Sequence, residues 1–206
     1  NINKRQVNRM PPVSYDANCA YIDFETITNV YDSFRNFPPA EDNYMIFMIG
    51  ALLQEGERPV TFTAGSMTVE EEGRIVNELW HYLKSNGITR VFHWGHAEKT
   101  YLSRRHATFL TDFLFVDLCE IFQQSRFALP GMFNYKLKDM CAALEITWPS
   151  GGPADGLDAM ALAIQAYLGG QAIPQCIKDY NAMDCMALRQ ITLLANNLTP
   201  DNVPRL

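Results

Sequence analysis

This chain of 206 residues carries no excess of positive charge: 17 Lys and Arg face 23 Asp and Glu, for a formal net charge of −6 and a pI near 5.2. The balance argues against affinity drawn from a broad basic surface, and any contact with nucleic acid is expected to be local. No apolar run reaches the roughly 18 residues that can span a bilayer, and no signal-peptide pattern opens the chain. A cytoplasmic protein without a membrane partner is the expectation. Cysteine is limited to Cys19, Cys119, Cys141, Cys176 and Cys185, with no C-x-x-C pair among them, which argues against a structural zinc site. Each lies in an apolar or helical context, where a reduced thiol behaves as a small hydrophobe. Internal repeats and low-complexity tracts are also missing.

What is present is the composition of a globular protein, 48% hydrophobic and 19% charged, with enough chain for one domain and a single core. We expect an N-terminal extension or linker over 1–18, a domain over 19–197 and a tail over 198–206. The start at Asn1 and the proline-containing end, Leu198 to Pro204, suggest a domain cut from a longer protein.

Cys19-Ala20-Tyr21-Ile22-Asp23-Phe24 reads as a strand, Met45 to Leu53 as a longer one covered on both faces, and Pro59 to Ala64 as a third. Short connections make these a meander. Thr68 with Glu71 has the form of a capping box, and Ile75, Leu79 and Leu83 recur at helical spacing until Asn86-Gly87. Val91 to Trp94 is a fourth strand, Ala97 to about Phe109 a helix, Phe113 to Leu118 a fifth strand. The remainder reads as helical, broken near Pro149 to Pro153. The order implies an α/β fold with a mixed five-stranded sheet, a three-strand meander followed by β-α-β, and helices on both faces.

Chemistry concentrates in a few carboxylates. Strand alternation puts Asp23 and Glu25 on one face, where like charges repel unless a cation lies between them. The last helix, beginning near Ile173-Pro174, carries Ile177, Tyr180, Asp184, Leu188 and Ile191 on one stripe. Asp184 thus faces inward, and Met183, Cys185 and Met186 beside it offer no counter-charge. It either caps or pairs with a group elsewhere, or holds a metal. Glu98 follows the fourth strand and a Gly95 turn and stands in the first turn of the next helix, a position the helix dipole also favours. Together Asp23, Glu25, Glu98 and Asp184 come from separate elements, as expected of a site built on a scaffold.

The segments YIDFETI, VFHWGHAEKTYL and YNAMD resemble the three motifs of the ribonuclease H-like DEDD 3′-5′ exonucleases, and most closely the YprB-type branch. Asp23 and Glu25 match the first motif, Glu98 the second, and Tyr180 with Asp184 the third in its Tyr-x-x-x-Asp form, since position 179 is Asp. Most members carry Asp where this chain has Glu98. Asp117, on the fifth strand, could substitute, although a structural role suits it better.

The resemblance implies a ribonuclease H-like fold and a two-metal mechanism with Mg²⁺ or Mn²⁺, hard ions suited to oxygen ligands. Asp23, Glu25, Glu98 and Asp184 would hold the two ions, and Tyr180 would orient the attacking water. Substrate contacts are expected from Phe24, Thr26, His93, Trp94, Lys99 and Lys138. Further candidates are the loop residues Tyr31, Phe34, Arg35 and Phe37, the basic group Arg104, Arg105 and His106, and Lys136. The implied activity is exonucleolytic hydrolysis at single-stranded 3′ ends, DNA ahead of RNA. Alternatives are a proofreading or helicase-associated nuclease module of a larger protein, and a catalytically silent nucleic-acid- or protein-binding module of the same fold.

Overall fold

The computed structural model describes residues 11–28, 44–129, 132–147 and 152–197. Five strands, β1 (Cys19–Thr28), β2 (Tyr44–Leu53), β3 (Val60–Thr63), β4 (Arg90–His93) and β5 (Leu114–Asp117), form one sheet in the order β3-β2-β1-β4-β5. β1 pairs antiparallel with β2, and β2 with β3; β4 and β5 run parallel to β1. The meander and the β-α-β unit expected from the sequence are both present. β2 is almost wholly buried, as its apolar run requires, but the middle of the sheet belongs to β1.

The helices are α1 (Val69–Ser85), α2 (Ala97–Arg105), α3 (Phe109–Asp112), α4 (Leu118–Gln124), α5 (Leu137–Ala143), α6 (Gly156–Leu168) and α7 (Gln175–Asn197). Alternation along β1 divides the core in two. Ala20 and Ile22 pack with Ile75, Leu79 and Leu83 of α1 and with Ala159, Ala163 and Ile164 of α6. Cys19 and Tyr21, on the opposite face, pack with Phe122 of α4, Met140 of α5 and Leu188 and Ile191 of α7. Helices therefore cover both faces. All five cysteines are free thiols, four of them buried, in keeping with their reading as small hydrophobes.

Two local expectations are corrected. The capping box is half made: Thr68 Oγ1 accepts the Glu71 N–H at 3.3 Å, but the Glu71 carboxylate accepts from Gly65 N and pairs with Arg74 rather than returning to Thr68. The helix expected from Ala97 to Phe109 ends at Arg105, and a separate turn, α3, follows. At that break Arg105 and His106 meet Glu72, a fully buried carboxylate on α1. Arg105 thus balances an internal charge, and the His106 ring meets the same carboxylate. They are not available as the phosphate-binding face suggested by their spacing.

The β1/β2 register slips between Glu25 and Thr26. A bulge at this point ends the alternation directly after the second carboxylate and re-aims the strand, a common device beside functional sites. On the other side of β1, parallel pairing with β4 stops at Tyr21–Phe92. Beyond it the two strands part, and Asp23 and Glu25 lie past the carboxyl end of the pairing, where open α/β sheets characteristically form crevices.

Candidate functional site

Asp23 and Glu25 project from β1 toward α7, whose inward stripe brings Asp184 to meet them. One carboxylate oxygen from each of the three lies within 4.8 Å of the others. Glu25 and Asp184 are buried, while Asp23 is partly open. Three carboxylates at this spacing repel one another, and the effect on their protonation is large. Loss of hydration, then the charges of Asp184, Glu25 and Glu98, hold Asp23 well above the usual carboxylate range. Loss of hydration is also the main cause at Glu25, pushed up to about 7, and at Asp184, raised well above its ordinary value.

Glu98 enters from the first turn of α2 and is buried. The turn from β4 to α2 runs through Gly95 at φ +81°, a left-handed conformation that favours glycine. Asp117 fixes that turn: its Oδ1 accepts the Gly95 N–H at 2.8 Å and caps α4 by accepting from Glu120 N at 3.2 Å. It holds the scaffold of the site. Glu98 stands beside the trio, raising the affinity of all three members for protons, but its oxygens are not among those that converge. Its Oε2 lies 3.4 Å from His93 Nδ1, outside hydrogen-bond geometry, and is buried with no hydrogen-bond partner among the described residues.

Tyr180 is four residues before Asp184 on α7. Burial, reinforced by Asp184, Glu25 and Asp23, raises its phenol far above the ordinary value, so it stays protonated. Lys138, half-buried on α5, lies 4.5 Å over the Tyr180 ring and donates to the Ala154 carbonyl. Its charge opposes the upward shifts of Glu25 and Asp184, which puts it at the edge of the carboxylate group.

The other expected substrate contacts are distributed differently. Phe24 points to the opposite face from Asp23 and packs against the α1–α6 core, so alternation removes it as a wedge at the site. His93 is fully buried, its ring 5.8 Å from Phe115, and cannot meet a substrate at the surface. Trp94 packs on Phe122 and uses its indole N–H on the Tyr135 carbonyl at 2.8 Å; it anchors the segment before α5. Thr26 is half-buried just past the bulge, and Lys99 and Lys136 are exposed. Tyr31, Phe34, Arg35 and Phe37 lie outside the described residues.

One residue absent from the sequence-based set stands in the centre. Asn181 is fully buried, and its side-chain nitrogen donates to Asp23 Oδ2 at 2.8 Å and to the Asp23 carbonyl at 3.1 Å. The signal available in the sequence was an uncharged polar residue on the same inward stripe, three positions before Asp184.

A family model of the RNase H superfamily matches residues 36–196. The chain belongs to the RNase H superfamily. No curated protein matches it. Membership supports a nuclease hydrolase, and RNase H-like nucleases use divalent metals. The matched stretch of this RNase H superfamily protein starts after β1, so the grouping of Asp23 and Glu25 with Asp184 rests on the geometry alone. The donor set fits such an ion: hard carboxylate oxygens from β1 and α7, crowded enough to need a counter-charge, with the orphaned Glu98 Oε2 alongside.

The raised carboxylates give a signed prediction for this RNase H superfamily protein. A folded-state pKa above the unfolded value contributes stability at low pH that is lost as pH rises through the folded value. The metal-free protein is therefore expected to melt at a lower temperature at pH 8 than at pH 5.5, with the share due to Glu25 lost progressively as pH rises and complete once it passes the folded value, about 7. Mn²⁺ should raise the melting temperature more at pH 8, because bound carboxylates must be ionised. Thermal melts in EDTA and in Mn²⁺ measure both; a profile that rises with pH in EDTA contradicts the assignment.

Proposed function

We propose that this RNase H superfamily protein is a metal-dependent 3′-5′ exonuclease acting on single-stranded nucleic acid ends, DNA in preference to RNA. The observation that carries the reading is the convergence of Asp23, Glu25 and Asp184 within 4.8 Å, with Tyr180 one helical turn before Asp184 on α7. Asp23, Glu25 and Asp184 would hold Mg²⁺ or Mn²⁺, and Glu98, buried alongside, would complete the set for a second ion. Divalent ions so held supply positive charge against the phosphodiester and lower the pKa of water.

The chain's own groups do the rest. The crowded carboxylates hold protons while no cation is bound, so the unloaded centre offers a phosphate no positive charge, and loading exchanges those protons for one. Tyr180 keeps its proton and acts by hydrogen bonding, orienting the attacking water in line with the scissile bond. Lys138, next to the Tyr180 ring, would meet a phosphate oxygen once substrate displaces part of its present bonding, and Lys99 and Thr26 would serve as further contacts to the nucleic-acid backbone.

Tyr180→Phe is expected to bind Mn²⁺ like wild type and to lose roughly 10²-fold in kcat, the scale of misplacing a reacting group; calorimetry with single-turnover kinetics separates the two. Polarity is tested with oligonucleotides bearing a phosphorothioate linkage at one end. A block at the 3′ terminus should stall digestion and the same block at the 5′ terminus should not. Digestion stalled only by the 5′ block would overturn the polarity.

A further inference from the structure

We infer that Asn181 is a positioning residue that fixes Asp23, and that position 50 is glycine because Asn181 occupies the space a side chain there would need. The inference rests on the reading of Asp23 as a metal ligand.

Both groups that Asn181 meets on Asp23, the carbonyl and Oδ2, are hydrogen-bond acceptors. Only the amide nitrogen can satisfy them, so the orientation of the amide is dictated by its partners. One side chain thereby clamps the backbone and the carboxylate of the same residue. It holds Oδ2, and with it the plane of the Asp23 carboxylate. A carboxylate on a bulged strand would otherwise rotate about χ1 and χ2, and an ion-binding site needs that freedom removed.

The opposite end of the amide supplies the second observation. Asn181 Oδ1 is buried with no hydrogen-bond partner among the described residues. It lies against Gly50, where a Cβ would come within 2.3 Å of it and within 2.8 Å of Cys185 Sγ. Gly50 is also the cross-strand partner of Asp23 in the β1/β2 ladder. The helix therefore descends onto the sheet at the register position of the ligand, and glycine is what allows it. A buried acceptor without a partner is costly, and an apolar side chain would fill the same volume without that cost. Retaining Asn here is explained by its nitrogen, not by packing.

The test uses Mn²⁺ calorimetry and the Mn²⁺ dependence of cleavage of a 5′-labelled single-stranded oligonucleotide, with thermal melts in EDTA as the check on folding. Asn181→Leu keeps the volume and removes the donor; Asn181→Ala serves if leucine is not accommodated. Either is expected to weaken Mn²⁺ binding by roughly 10–100-fold, the range for losing a group that orients a metal ligand. At saturating Mn²⁺, kcat should recover most of its wild-type value with KM for the oligonucleotide unchanged. Gly50→Ala should weaken Mn²⁺ in the same direction by displacing Asn181, and adding it to Asn181→Ala should cost less than it does alone, because the nearer atom it would strike is gone and only Cys185 Sγ, at 2.8 Å, is still crowded. Wild-type Mn²⁺ affinity in a folded Asn181→Leu or Asn181→Ala protein overturns the positioning role. Additive losses in the double variant overturn the link to Gly50. Failure of the wild-type protein itself to bind Mn²⁺ would instead overturn the metal-centre reading, and this inference with it.

Discussion

Asp184→Asn is expected to reduce nuclease activity by more than about 10³-fold, beyond the roughly 10–100-fold typical of losing an outer partner of a metal site, while the metal-free protein becomes more stable. The two effects have one cause. Asp184 shares a space of 4.8 Å with Asp23 and Glu25, and in the absence of a counter-ion its charge raises the proton affinity of Asp23. Asn keeps the shape and the hydrogen-bonding capacity but removes one of the repelling charges. A gain of about 1 kcal/mol above neutral pH, equivalent to roughly one pKa unit of relieved interaction, is the expected scale. Denaturant melts in EDTA measure the gain, and initial rates in Mn²⁺ measure the loss. A variant both inactive and less stable would indicate that Asp184 serves the fold; an active one would remove it from the site.

The second large effect is on stability alone. Glu72 is fully buried on α1, accepts the Ile46 N–H at 2.8 Å, and pairs with Arg105 at 3.1 Å and His106 at 2.9 Å. Arg105 also donates to the Tyr44 carbonyl at 2.6 Å. The carboxylate thus ties α1 to the start of β2 and to the end of α2, close to the register slip that follows Glu25. Removing one member of a buried ion pair leaves the others desolvated and uncompensated, at a cost of about 3–5 kcal/mol. Glu72→Ala should lose about that much in urea denaturation, and Glu72→Gln less, because the amide oxygen still accepts from Ile46. Because Glu72 touches none of the three converging carboxylates, activity per folded molecule should fall far less than in Asp184→Asn. A loss under 1 kcal/mol for Glu72→Ala would show that the network has no net effect.

The order of elements was legible because it is written in periodicity: the apolar run of β2, the alternation of β1 and the four-residue recurrence of α1 each admit one reading. The grouping of Asp23, Glu25 and Asp184 was legible for a related reason. A strand that alternates and a helix whose inward stripe carries an acid both declare which way their carboxylates face. What periodicity does not encode is the partner of a polar side chain. Arg105 and His106 looked like a basic surface because nothing local says that Glu72, more than thirty positions earlier, is buried beneath them. Trp94 and His93 drew attention by lying next to the Glu98 segment, but a strand end delivers such residues to the core as readily as to a cleft. Asn181 is not legible in the sequence because its partner, Asp23, is 158 residues away, and the contact depends on a glycine in a third element.

The most direct test of the metal-dependent exonuclease is a time course on 5′-labelled single-stranded DNA and RNA of identical sequence, in EDTA, Mg²⁺ or Mn²⁺, with Asp184→Asn run in parallel. A ladder shortening by single nucleotides from the 3′ end, present with metal and absent in EDTA and in the variant, is the expected result, with DNA degraded faster than RNA. Cleavage that persists in EDTA or in Asp184→Asn, or no cleavage of either strand by the metal-loaded wild-type protein, would contradict it.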